Sequence, residues 1–179
     1  MKKKQFLFLL LVPFLMGTTP TIIGLDRVHV GNKSPQKIGT WKYTPSVIIC
    51  EGAPTNKKDI DKAIAWWKNR GYRFYETIGE EDPLGKCQSE FPEGFIVVKI
   101  GTQKMFTNNE DLAQTHFNVD DSTKQISWAK IYLRSSPMER VLEHEIGHAL
   151  GFLHSDNPGH LMYRQWIRGG WGDKGLRQM

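Results

Sequence analysis

HEIGHALGFLHSDNPGHLMY, residues 144–163, holds four of the chain's six histidines. His144 and His148 are four residues apart, so on a helix their imidazoles stack one turn from each other on a shared face. A helix start is legible just upstream: Ser136 as N-cap, Pro137 at the first helical position and Glu139 closing a capping box predict a helix from there to about Leu150. Leu142, Ile146 and Ala149 project within a narrow arc that buries against a sheet. Gly151 can take the left-handed conformation that ends a helix, and the turn lets His154 swing back toward the other two. Three imidazoles with no thiolate nearby suit zinc, and three protein ligands leave the fourth position open, the pattern of a catalytic rather than a structural site. Glu145 lies on the flank of the same helix. It can reach a zinc-bound water without ligating the metal, take its proton and return it to a leaving amine. Three His, one Glu and one Gly at these spacings arise by chance in about one chain in 100,000 of this length, so scattered surface histidines are a poor account of the stretch.

Working outward, TPSVIIC (44–50) reads as a strand. TNKKDIDKAIAWWKNRG (55–71) reads as a helix capped by Thr55 or Asn56 and stopped at Gly71, with Ile60, Ala63, Ile64 and Trp67 on one apolar face. Tyr72–Ile78 reads as a strand, 80–94 as a polar loop, and FIVVKI (95–100) as a central strand. Leu112–Val119 and Gln125–Leu133 read as a strand pair turning at 120–124. Strand, helix, several strands, helix is an α/β (α+β) layout with a mixed twisted sheet. At 179 residues the chain is one domain of ordinary size, with no repeat or low-complexity tract.

The start is different. Met1-Lys2-Lys3-Lys4 followed by an uncharged apolar run from Phe6 to Met16 reads as the basic and apolar regions of an export signal, and an uncleaved membrane anchor is the alternative. The organisation expected is therefore 1–24 signal or anchor, 25–40 a linker rich in Gly, Lys, Ser and Pro, and 41–179 the catalytic domain. Three of the 24 basic residues belong to the leader, and without them the charge is close to neutral, so no nucleic-acid partner is inferred. In an exported protein Cys50 and Cys87 are most simply a disulfide; two buried free thiols are the alternative. A secreted or cell-envelope monomer is expected.

HEIGHALGFLH matches H-E-x-x-H-x-x-G-x-x-H at every specified position, and the chain here resembles the metzincin zinc peptidases. Met162, eight residues after His154, is placed for that clan's Met-turn. Ser155 and the Leu161-Met162-Tyr163 run resemble the matrixins, as does the stretch LAQTHFNVDDSTKQISWAKIYL (112–133). The resemblance implies endopeptidic hydrolysis with one catalytic zinc on His144, His148 and His154 and Glu145 as general base. It further implies a substrate paired along an edge strand at Leu112, Ala113, Gln114, Thr115 and His116, with side-chain preference set beside the Met-turn around His160 to Arg164, Tyr163 included.

The chain also departs from that pattern. No Cys-bearing propeptide motif and no His-rich structural-zinc segment between Ile100 and Asp111 are evident, and no motif supports structural calcium. Arg164 stands where matrixins have Pro, and where some other metzincins have Tyr. A surface arginine is the plainer reading of it, an oxyanion stabiliser the sharper one. His160 falls outside the ligand set, His116 is a packed or surface residue, and His29 is assigned nothing. Seventeen residues follow Met162, of which Asp173–Met179 could form a turn or two of helix. The competing readings are a metal-stabilised binding module without turnover, and a hydrolase confined to short peptides or cell-wall cross-links.

Overall fold

A computed structural model describes residues 34–79, 82 and 84–178. The leader at 1–24, His29 and the first part of the 25–40 linker lie outside the described residues.

Side-chain alternation builds the sheet. In β2 (Ser46–Ile49) and β4 (Phe95–Ile100), Val47, Ile49, Ile96 and Val98 face the main core, while Ile48 and Val97 face a smaller cluster with Cys50 and Cys87. Both faces are covered, which is why these strands read as unbroken apolar runs. The smaller cluster is closed by the Cys50–Cys87 disulfide, which joins residues 37 apart and ties the segment before β4 to the end of β2.

The helix α1 (Lys57–Lys68) starts where Asn56 accepts a hydrogen bond from the Asp59 N–H at 3.1 Å, and it buries Ile60, Ala63, Ile64 and Trp67. It crosses over between β2 and β3 (Thr77–Ile78), which pair in parallel. The strands β1 (Thr40–Trp41), β2, β3, β4 and β6 (Gln125–Leu133) are parallel, and β5 (Ala113–Val119) runs antiparallel to β6. Residues 129–133 of β6 pair with both β4 and β5, so these two lie on opposite edges of β6. Among the described residues β5 has no other strand partner, and its outer edge is open.

The structure differs from the sequence reading in four places. Of the expected strand 72–78, only Thr77–Ile78 pairs as a strand; Tyr72 and Phe74 turn into the core instead. The end of the linker is bound to the domain: the Leu153 N–H donates to Gln36 O, the Ile38 N–H to Gly151 O, and β1 lies along β6. The active helix α2 spans Val141–Ala149, shorter than expected, and Ser136, Pro137 and Glu139 do not cap it. Its N-cap is Arg140, in the left-handed region at φ 72°, with no side-chain cap. Glu139 is engaged elsewhere, accepting from the Trp166 and Trp171 indoles through its carbonyl and carboxylate. The tail after Asp173 is turn rather than helix; it buries Leu176 and is held by the Arg70–Asp173 ion pair at 2.9 Å.

Helix α2 is anchored at both ends by indoles from distant elements. Trp67 donates to Glu143 O at 2.8 Å, and Trp41 to Ala149 O at 2.8 Å. The second of these satisfies a C-terminal carbonyl that the helix itself leaves without a partner.

Candidate metal centre and active site

Helix α2 carries His144 and His148, and Gly151, at φ 93°, turns the chain so that His154 returns to them. The Nε2 atoms of His148 and His144 are 2.9 Å apart, and those of His148 and His154 are 3.2 Å apart. The protonation state follows from the other ring nitrogens. His144 Nδ1 lies 2.7 Å from Leu161 O and His148 Nδ1 lies 2.7 Å from Phe152 O. A carbonyl only accepts, so each Nδ1 carries the hydrogen and each Nε2 presents a lone pair. Burial pushes the His144 imidazole down to about 4 and that of His154 to about 3, and holds His148 well below its ordinary value.

His144 and His148 thus aim their Nε2 lone pairs at one point, and the His154 Nε2 faces the same point. Two lone pairs facing at 2.9 Å repel unless a cation lies between them. Ligand nitrogens on a tetrahedral zinc with bonds of about 2.0–2.1 Å are about 3.3 Å apart, near the spacing found here. The donor set fits zinc. Among the described residues this is the one cluster of three or more His, Cys, Asp or Glu able to hold a metal.

Glu145 is buried beside the cluster. Its Oε2 accepts a hydrogen bond from Thr115 Oγ1 on β5 at 2.6 Å, and burial raises its carboxyl to about 7. Thr115 belongs to the expected substrate strand, but its hydroxyl turns inward onto Glu145, 30 residues away in sequence and linked to it by no local signal. Leu112, Ala113, Gln114 and Tyr163 line the same cleft, whose volume is about 880 Å³. The Gln114 amide is occupied in bracing the rim, donating to Thr107 Oγ1 and accepting from the Thr107 N–H. His116 instead packs edge-on against Tyr132.

Met162 is fully buried beneath α2. A Cβ on Gly147 would overlap its sulfur and lie 2.8 Å from Trp67 Cζ2, so only glycine lets the helix settle on this floor. The Met-turn strand is tied to the ligand segment by the Ser155 N–H donating to Met162 O at 2.7 Å. His160 is not aimed at the cluster. Its Nδ1 accepts from the Met162 N–H at 3.0 Å, and its Nε2–H donates to Lys174 O at 3.0 Å. It braces the Met-turn, a role that residue spacing alone did not reveal.

A sheet with an open antiparallel edge strand, a zinc-fitting His triad on and after the active helix, and a methionine floor give the domain a metzincin-like fold. Residues 90–171 match the family model described as matrixin, and the domain is matrixin-like. A comparison with curated protein sequences returns no match.

Proposed function

We propose that the protein is a zinc-dependent endopeptidase whose general base is Glu145. The observation that carries this is the convergence of three imidazole nitrogens beside a buried carboxylate, at the head of an open strand edge. A zinc ion held by His144, His148 and His154 would supply Lewis acidity, polarising a carbonyl and acidifying water. Glu145 takes the proton and delivers it to the departing amine. A carboxyl raised to about 7 by burial is matched to moving a proton near neutral pH, and a cation beside it favours the charged, basic form. Thr115 holds Oε2 and so restrains the carboxylate, and Glu145 lines the cleft. The free edge of β5 offers its backbone N–H and C=O groups to an extended peptide, which orients the scissile bond over the triad.

The catalytic unit is taken as 41–179, together with the segment from Gln36 that is bound to it. An extracytoplasmic location is part of the proposal. The Cys50–Cys87 disulfide and the basic-then-apolar start of the chain support it. Among the described residues no helix is long and apolar enough to cross a membrane.

The test is digestion of a mixed peptide library by the zinc-loaded protein and by its Glu145→Ala variant, with zinc content measured in both. Cleavage by the first alone, with about one zinc per chain in each, is the expected result. Zinc in both and cleavage by neither would overturn the proposal in favour of a binding module.

A further inference from the structure

We propose that the cleft selects substrates carrying a carboxylate next to the scissile bond, and that Arg164 and Arg168, aided by Arg140, read it. The inference rests on the peptidase reading for the bond that is cut, but the recognition is argued separately.

The wall opposite β5 is the segment after Met162, and it is rigidly mounted. Gly159 N–H donates to Arg168 O at 2.7 Å, Leu161 N–H to Gly172 O at 2.8 Å, and Trp166 Nε1 to Glu139 O at 2.7 Å. From this wall Arg164 and Arg168 line the cleft, and Arg140 joins them from the foot of α2. Arg140 holds a left-handed backbone conformation that is costly for a residue with a side chain, and its guanidinium lies over the Trp166 ring at 5.4 Å.

None of these three arginines takes part in an ion pair among the described residues. Of the acidic groups near the cleft, Glu139 accepts from the Trp171 indole, the charge of the buried Glu143 feels that of Arg140, and Glu110 and Asp111 belong to the facing wall beside β5. The cleft is therefore polarised, basic on the Met-turn side and acidic on the β5 side. A peptide laid along β5 places a flanking side chain against the basic wall. Guanidinium forks match a carboxylate in a bidentate geometry that they cannot offer a neutral or basic group. The carboxylate can come from an internal Asp or Glu, or from the substrate's own C-terminus.

The experiment uses four peptide sets differing only in the residues flanking the cut: internal Glu with blocked ends, internal Gln with blocked ends, internal Lys with blocked ends, and Gln with a free C-terminal carboxylate. Cleavage is measured with the zinc-loaded protein and with its Arg164→Glu/Arg168→Glu variant. Binding of the same peptides to Glu145→Ala protein, which needs no turnover, is followed by titration calorimetry. The expected result is a preference of about tenfold in kcat/KM for a carboxylate peptide over Gln, inverted toward Lys in the double variant. The Glu and free-terminus arms tell the two carboxylate sources apart. Selectivity is a ratio within one protein, so partial loss of folding in the variant cancels. Equal cleavage and equal binding of all four sets would overturn the inference. Carboxylate-selective binding without any cleavage would sustain it while removing the peptidase reading.

Discussion

Thr115 Oγ1 donates to Glu145 Oε2 at 2.6 Å, joining the open edge strand to the carboxylate beside the metal centre. Both residues are buried, so the bond is not exchanged with water. Thr115→Val keeps the shape and removes the donor. A neutral–charged hydrogen bond of this kind is worth about 1.5–3 kcal/mol, so kcat should fall at least tenfold with KM nearly unchanged. Thr115→Ser should restore most of it. Equal losses in Val and Ser variants would mean that packing, not the hydroxyl, matters.

Gly147→Ala sets two effects against each other. Alanine favours a helix interior over glycine by about 1 kcal/mol. Here its methyl meets the Met162 sulfur and Trp67, both fully buried, and overpacking costs about 1–3 kcal/mol. The clash should win, with denaturant unfolding showing a net loss of about 1 kcal/mol.

His160→Ala separates a brace from a ligand. It strips the partner from the Met162 N–H and from Lys174 O and leaves a cavity, for a loss of about 2–4 kcal/mol. Zinc stoichiometry, measured on folded protein, should stay near one. His144→Ala should lose the metal instead.

Acid should destabilise the metal-free chain through its histidines. The folded values of His144 and His154, about 4 and about 3, lie below an unfolded value near 6.5, and His148 is also held well below it by burial and its two neighbours. The unfolded chain binds the extra protons, so these groups contribute fully above pH 6.5 and that stability is lost as pH falls toward 4 and 3. Glu145, raised to about 7, acts with the opposite sign between about 4.5 and 7, but it is one group against three. Thermal melts in chelator should therefore fall from pH 7 to pH 4, and added zinc should raise the melting temperature most at the upper end.

Breaking the disulfide with paired Cys50→Ser and Cys87→Ser changes frees a loop of 37 residues. The loop-entropy cost is about 4 kcal/mol, an amount a domain of this size tolerates poorly. A melting temperature unchanged by reductant would show that the outer face is held by the Ile48 and Val97 cluster alone.

Sequence by itself determined the parts whose physics is local. The histidine spacing sets a shared helix face, Gly151 supplies the turn that brings His154 back, Thr55 or Asn56 marks the start of α1, and the apolar runs mark β2, β4 and the β5–β6 pair. These depend on residues within a few positions of each other, where helical and strand periodicity leave a pattern. The tertiary structure alone decided what depends on distant partners. Arg140 begins α2 in place of Ser136 because Glu139 is drawn to the Trp166 and Trp171 indoles. The residues before β1 are no free linker, because they pair with the turn after α2. Thr115 meets Glu145, His160 holds Met162, and Trp41 and Trp67 fasten the ends of α2. Such contacts join segments up to 108 residues apart. Their energy is realised only once the core has brought them together, and no short-range pattern encodes it.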